Sequence, residues 1–134
     1  MMTLYQEGLP ARLLPLLEQL PDDEALLIPL YEAYRAISKA LTGVINMPRV
    51  NAAAAGMIET ESERADDYAC AIAEKLSRLT EVNYYWRPMY IEMMLSHVFF
   101  IDDDANLALS VLGAAMALPV VRDDVDAPCS RVPS

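Results

Sequence analysis

The sequence predicts an all-α fold: a compact bundle of four to five helices with an apolar central helix at residues 88–100. Apolar residues recur at three- and four-residue steps in almost every segment, which is the period of an α-helix. Alternating β-branched runs, which are typical of strands, are absent, and only four glycines punctuate the chain. The length of 134 residues fits one domain, which we expect at residues 1–118, followed by a frayed, flexible C-terminal tail at residues 119–134.

Two helices are predicted in the first third of the chain. Residues 9–20 form a short first helix, because Pro15 would break or kink a longer one. Pro21 and the three acidic residues after it open a second helix, since carboxylates favour the positive end of the helix dipole. Pro29 lies inside the second pattern, so this helix either kinks there or begins there. The stripe expected to face the bundle is Leu27, Leu30, Tyr31, Tyr34, Ile37, Leu41, Val44 and Ile45.

A long third helix is predicted from about residue 49 to residue 80. Its apolar residues again follow a helical period, and a run of four alanines lets another helix approach closely. Thr60 and Glu63 have the spacing of a capping box, so a break into two helices near Thr60 is an alternative.

Two apolar helices are predicted at residues 88–118, on either side of Asp102-Asp103-Asp104. Between Met89 and Ile101 only Glu92, Ser96 and His97 are counted as polar, so this helix is apolar almost all round and is expected to be central. The aspartates end it and cap a fifth helix. The chain carries no charge from Ala105 to Val121. The two apolar helices must therefore pack against the rest of the bundle or against a second copy of the chain, and we expect a homodimer.

Charge and hydropathy restrict the environment and the partners. The formal net charge is −10, and residues 59–134 carry fourteen acidic and only six basic side chains. Direct binding to nucleic acid or to an anionic membrane is not expected, because phosphates are neutralised by clustered Lys and Arg. No apolar run reaches the roughly 20 residues that span a bilayer, and no secretory leader is recognised, so we predict a cytoplasmic protein. Cys70 and Cys129 are not expected to form a disulfide.

Neither a catalytic set nor a metal or cofactor site is predicted. His97 is the only histidine, and Glu92, five residues earlier, points away from it on a helix. We interpret His97 as a residue near the helix C-terminus, where positive charge is favourable. The segment from Asp102 to Asn106 begins like a calcium loop, but Leu107 stands where a glycine must turn the chain.

Two surfaces are predicted to bind a partner. The acidic run (Glu59, Glu63, Asp66 and Asp67) shares one face of the third helix, at a small cost in helix stability from like-charge repulsion. The aromatic connection (Tyr84, Tyr85, Trp86 and Arg87) joins residue types that dominate interface hot spots. For the acidic run, the alternative is a solvated face that promotes solubility. For the aromatic connection, the alternative is a set of hinge aromatics that close the end of the bundle.

These features predict a small acidic, non-enzymatic protein-binding protein. We expect an inhibitor or regulator of a nucleic-acid-binding protein, of the kind that phages and other mobile elements use against host defences. One alternative is a metal-dependent enzyme, since Glu63 and Asp66 have the Glu-x-x-Asp spacing of all-α nucleotide pyrophosphohydrolases. The Glu-x-x-Glu pair that those enzymes also use is missing here. A dimeric structural or adaptor subunit is the other alternative.

Overall fold

The computed structural model describes Leu4, residues 8–101 and residues 105–122, and in these residues the predicted all-α bundle is confirmed. A 3-10 turn at Ala11–Leu13 leads into the first helix. The elements that follow are α1 Leu14–Gln19, α2 Glu24–Ile45, α3 Ala52–Ser77, β1 Val82–Asn83, α4 Arg87–Ile101, α5 Ala105–Ala117 and β2 Val120–Val121. The predicted aspartate caps at 102–104, Cys129 and the tail beyond Arg122 lie outside the described residues.

Helix α2 begins at Glu24, directly after the residue that caps it. Asp23 accepts a hydrogen bond from the Ala25 N–H at 2.9 Å, which satisfies a donor that the first turn leaves unpaired. Pro29 lies inside the helix, so a start at that residue is not realised.

One face of α2 is buried in the bundle, and it contains only part of the predicted stripe. Its buried residues are Leu27, Ile28, Tyr31 and Ser38. Leu30, Ile37 and Val44 are instead 38%, 46% and 37% exposed. The prediction that these three side chains face inward is wrong, because α3 and α4 cover the side of α2 that carries Tyr31 and Ser38.

Helix α3 is continuous from Ala52 to Ser77, so the alternative of a break near Thr60 does not occur. Asn51 caps the helix and accepts a hydrogen bond from the Ala54 N–H at 2.8 Å. The Thr60 hydroxyl donates to the Gly56 carbonyl at 3.0 Å, one turn back along the same helix, and does not cap a new one.

The hydrophobic core lies between the α2–α3 hairpin and the α4–α5 pair. Tyr90 is fully buried there, and its hydroxyl donates to the Leu76 carbonyl at 3.2 Å, so the polar atom is satisfied inside the core. The prediction of an apolar central helix is confirmed, although Phe99 and Phe100 are 51% and 38% exposed. The buried residues of α4 are Tyr90, Met93, Met94, His97 and Val98.

The parallel strands β1 and β2 close one end of the bundle. The Val82 N–H donates to the Pro119 carbonyl at 3.0 Å, and the Tyr84 N–H donates to the Val121 carbonyl at 2.8 Å. The start of the segment that we assign to the tail is therefore hydrogen-bonded to the chain around the aromatic connection. None of the helices that the structure describes combines the length and the apolarity that crossing a bilayer requires.

Candidate partner-binding site

Two of the four residues of the acidic run form ion pairs within the chain. Asp66 lies 3.0 Å from Nη1 of Arg35 on α2, and Asp67 lies 3.0 Å from Nε of Arg12 in the 3-10 turn. The side chains of Asp66 and Asp67 are only 32% and 29% exposed. These two carboxylates therefore join α3 to its neighbours, and a partner would have to compete with the arginines for them.

Arg35 links three helices at once. Its guanidinium carbon lies 3.6 Å from the centroid of the Phe100 ring on α4, a cation–π contact, while Nη1 holds Asp66 on α3. Because the Arg35 side chain is 21% exposed, water screens these interactions only partly. This arrangement gives Asp66 a role in holding the bundle together.

The other two residues of the acidic run, Glu59 and Glu63, are exposed on α3. Glu63 lies about 21 Å along the helix axis from Ser77, given a rise of about 1.5 Å per residue. The aromatic connection follows that end of the helix. The two predicted binding surfaces are therefore separate surfaces, and they do not merge into one patch.

The aromatic connection presents two tyrosines in a fixed arrangement. Tyr84 and Tyr85 are 54% and 45% exposed, and the Tyr85 ring packs edge-on against half-buried Trp86 with 5.2 Å between centroids. The Tyr85 N–H donates to the Asn83 side chain at 2.8 Å, and the Arg122 guanidinium lies 4.1 Å from the centroid of the Tyr84 ring. Each exposed tyrosine ring is thus in contact with one neighbouring side chain.

Arg87, the fourth residue of the aromatic connection, faces the bundle. Its Nη2 donates to the Met116 carbonyl at 3.3 Å, and its Nε is buried without a hydrogen-bond partner among the described residues. Arg87 thus links α4 to the C-terminal end of α5, a role that spacing in the sequence does not indicate.

A cleft of about 690 Å³ lies beside the aromatic connection, between the start of α2 and the end of α3. Asn83 and Trp86 form part of its wall. Four carboxylates and two basic groups line it: Asp22, Asp23, Glu24, Glu81, Lys75 and Arg78. Sequence reasoning missed this cleft, because Lys75, Arg78 and Glu81 lie far along the chain from the consecutive Asp22, Asp23 and Glu24 and meet them only when the α2–α3 hairpin forms.

Several of the groups that line the cleft are held by contacts within the chain. Lys75 Nζ lies 3.0 Å from Asp22, and Glu24 accepts a hydrogen bond from the Asn83 N–H at 2.8 Å. Glu81 is exposed and forms no ion pair in the part of the chain that the structure describes. Glu81 is thus the cleft carboxylate most available to a partner.

His97 lies in the core, with its Nδ1 2.9 Å from the Tyr31 hydroxyl. Burial, and secondly the charge of Arg35, lowers the pKa of His97 to about 4, and burial raises the pKa of Tyr31. Both side chains are therefore neutral at pH 7. The interpretation of His97 as a favourable positive charge near the helix end is wrong, because burial penalises its charged form.

The described residues contain no group of three or more His, Cys, Asp or Glu side chains that could hold a metal ion. In the magnesium-enzyme alternative Asp66 would be a ligand, but here this carboxylate is occupied by the Arg35 guanidinium. Comparisons of the chain with protein-family models, with curated proteins and with solved structures found no match.

Proposed function

We propose that the protein is a non-enzymatic binding protein that holds the basic surface of a protein partner at the cleft and the aromatic connection. One observation supports this most strongly. The exposed Tyr84 and Tyr85 lie in the chain between Asn83 and Trp86, which both line a cleft with four carboxylates. A basic surface of this kind is what nucleic-acid-binding proteins present to phosphates. Occupying it would make the protein an inhibitor or regulator of such a partner.

The tyrosines and the carboxylates supply different parts of the binding energy. Ordered aromatic side chains give large contact areas and are enriched among interface hot spots. The net charge of −10 attracts a basic partner and speeds encounter, and salt screens this attraction. Loss of a tyrosine should therefore weaken binding at any ionic strength, whereas loss of a carboxylate should matter most at low ionic strength.

Fluorescence anisotropy with a labelled polyarginine peptide tests the proposal on the full chain, at low and at physiological ionic strength. We expect binding that weakens as salt rises. Tyr85→Ala should weaken it about tenfold, which is the effect of a hot-spot side chain worth roughly 1.4 kcal/mol. Glu81→Gln should weaken it by about twofold to fivefold, as expected for one charge at the rim of an interface.

Glu59→Gln is the matched control, because it removes one charge from an exposed position about 27 Å along α3 from Ser77. It should leave the affinity close to that of the wild type. Equal weakening by Glu59→Gln and Glu81→Gln would mean that only the overall charge attracts the peptide, and no binding by the wild type would contradict the proposal. Capture from the native cell, with Tyr85→Ala as the comparison, then identifies the partner.

A further inference from the structure

A second apolar face of α2 is exposed along the helix and just beyond its end. We define the α2 seam as the seven exposed residues that repeat at alternating steps of four and three: Leu26, Leu30, Ala33, Ile37, Ala40, Val44 and Met47. This is the spacing of the apolar seam in a coiled coil. Leu26 and Met47, at its two ends, are 54% and 57% exposed. The seam contains no charged residue, in a chain of net charge −10.

We propose that the α2 seam binds the α2 seam of a second copy of the chain, with the two helices antiparallel. A continuous exposed apolar face of this length marks an interaction surface. Two copies that are both strongly acidic repel each other least where their contact surface carries no carboxylate. A twofold axis then brings the same seam into the interface from both sides.

The side-chain sizes along the seam favour the antiparallel direction. When the twofold axis passes near residue 35, Ala33 faces Ile37 of the second copy. In the same register, Ala40 faces Leu30 of the second copy. Each small side chain thus meets a large one, which fills the interface at the density of a protein core. In a parallel pair each alanine would face its own copy and leave a void between layers of leucine and isoleucine.

Sedimentation of the full chain at micromolar concentration tests the proposal. We expect a dimer for the wild type and a monomer for Ile37→Asp, which should keep its helicity because Ile37 is 46% exposed. Leu109→Asp is the matched control, since Leu109 is a 67% exposed apolar residue on α5. This variant should remain a dimer. A monomeric wild type overturns the proposal. It is also overturned if Leu109→Asp dissociates the dimer while Ile37→Asp leaves it intact.

Ala33→Ile tests the direction of the helices. In the antiparallel register the new side chain faces Ile37 of the second copy, so overpacking should weaken the dimer about tenfold. In a parallel pair the new side chain would fill the void between the two alanines, so a tighter dimer overturns the antiparallel direction.

Discussion

Protonation of His97 should destabilise the fold as the pH falls from about 6.5 to about 4. His97 is fully buried, and burial together with the charge of Arg35 lowers its pKa from 6.5 to about 4. In the unfolded chain the imidazole takes up a proton below pH 6.5, whereas in the folded chain it resists until the pH is near 4. The unfolded state binds more protons than the folded state in this window. The free energy of unfolding therefore keeps its full value above pH 6.5 and decreases as the pH falls from 6.5 to about 4.

The size of this loss follows from the difference between the two pKa values. One pKa unit corresponds to about 1.36 kcal/mol, so a pKa lowered from 6.5 to about 4 corresponds to a loss of about 3 kcal/mol. Single domains are stable by about 5–15 kcal/mol, so titration of this one group would remove a large share of the stability at low pH.

Urea denaturation at pH 7, 5.5 and 4.5, followed by circular dichroism, measures the effect. The comparison variant is His97→Asn, which keeps a hydrogen-bond donor and acceptor near the position of Nδ1 but does not titrate. We expect the wild type to lose about 2–3 kcal/mol more than His97→Asn between pH 7 and pH 4.5. Carboxylates titrate in both proteins, so their contribution cancels in the comparison.

Tyr31→Phe separates burial from hydrogen bonding. This variant removes the hydroxyl that lies 2.9 Å from His97 Nδ1 but leaves the imidazole buried. Because burial is the larger cause of the lowered pKa, the excess pH dependence should persist. Equal pH dependence in the wild type and His97→Asn would refute the reasoning, since it would mean that the folded state does not resist protonation of this histidine.

Two further predictions concern contacts between helices. Asp66→Asn should lower the free energy of unfolding by about 0.5–1 kcal/mol, and Arg35→Ala by about 1–2 kcal/mol, because the ion pair is partly exposed and Arg35 also covers Phe100. Urea denaturation at pH 7 measures both, and a larger loss for Asp66→Asn contradicts this account. Ala69→Leu, at a fully buried position of α3, should cost about 1–3 kcal/mol by overpacking, whereas Ala53→Leu, at an exposed position, should change stability by less than about 0.5 kcal/mol. Thermal melts check this pair, and equal effects would show that α3 does not bury the face that carries Ala69.

Local signals in the sequence were enough to place most of the helices. Asp23 and Asn51 cap α2 and α3 close to the predicted starts, and α4 begins one residue before the predicted Pro88. A cap requires contacts only within one turn, so the residues that make it are adjacent in the chain and can be recognised there. The same holds for the helical period itself, which needs no knowledge of what covers the helix.

The sequence by itself thus determined the all-α class and the approximate limits of the helices. Only the tertiary structure decided which apolar faces are exposed and which charged side chains are already paired within the chain. Apolar residues occur on more than one side of α2, and packing against α3 and α4 decides that Tyr31 is inside and Ile37 outside. Asp66 pairs with Arg35, 31 residues away in the chain, and His97 is kept neutral by the depth at which it is buried. Packing and electrostatic energies depend on distance in space and on exclusion of water, and neither leaves a local pattern in the sequence.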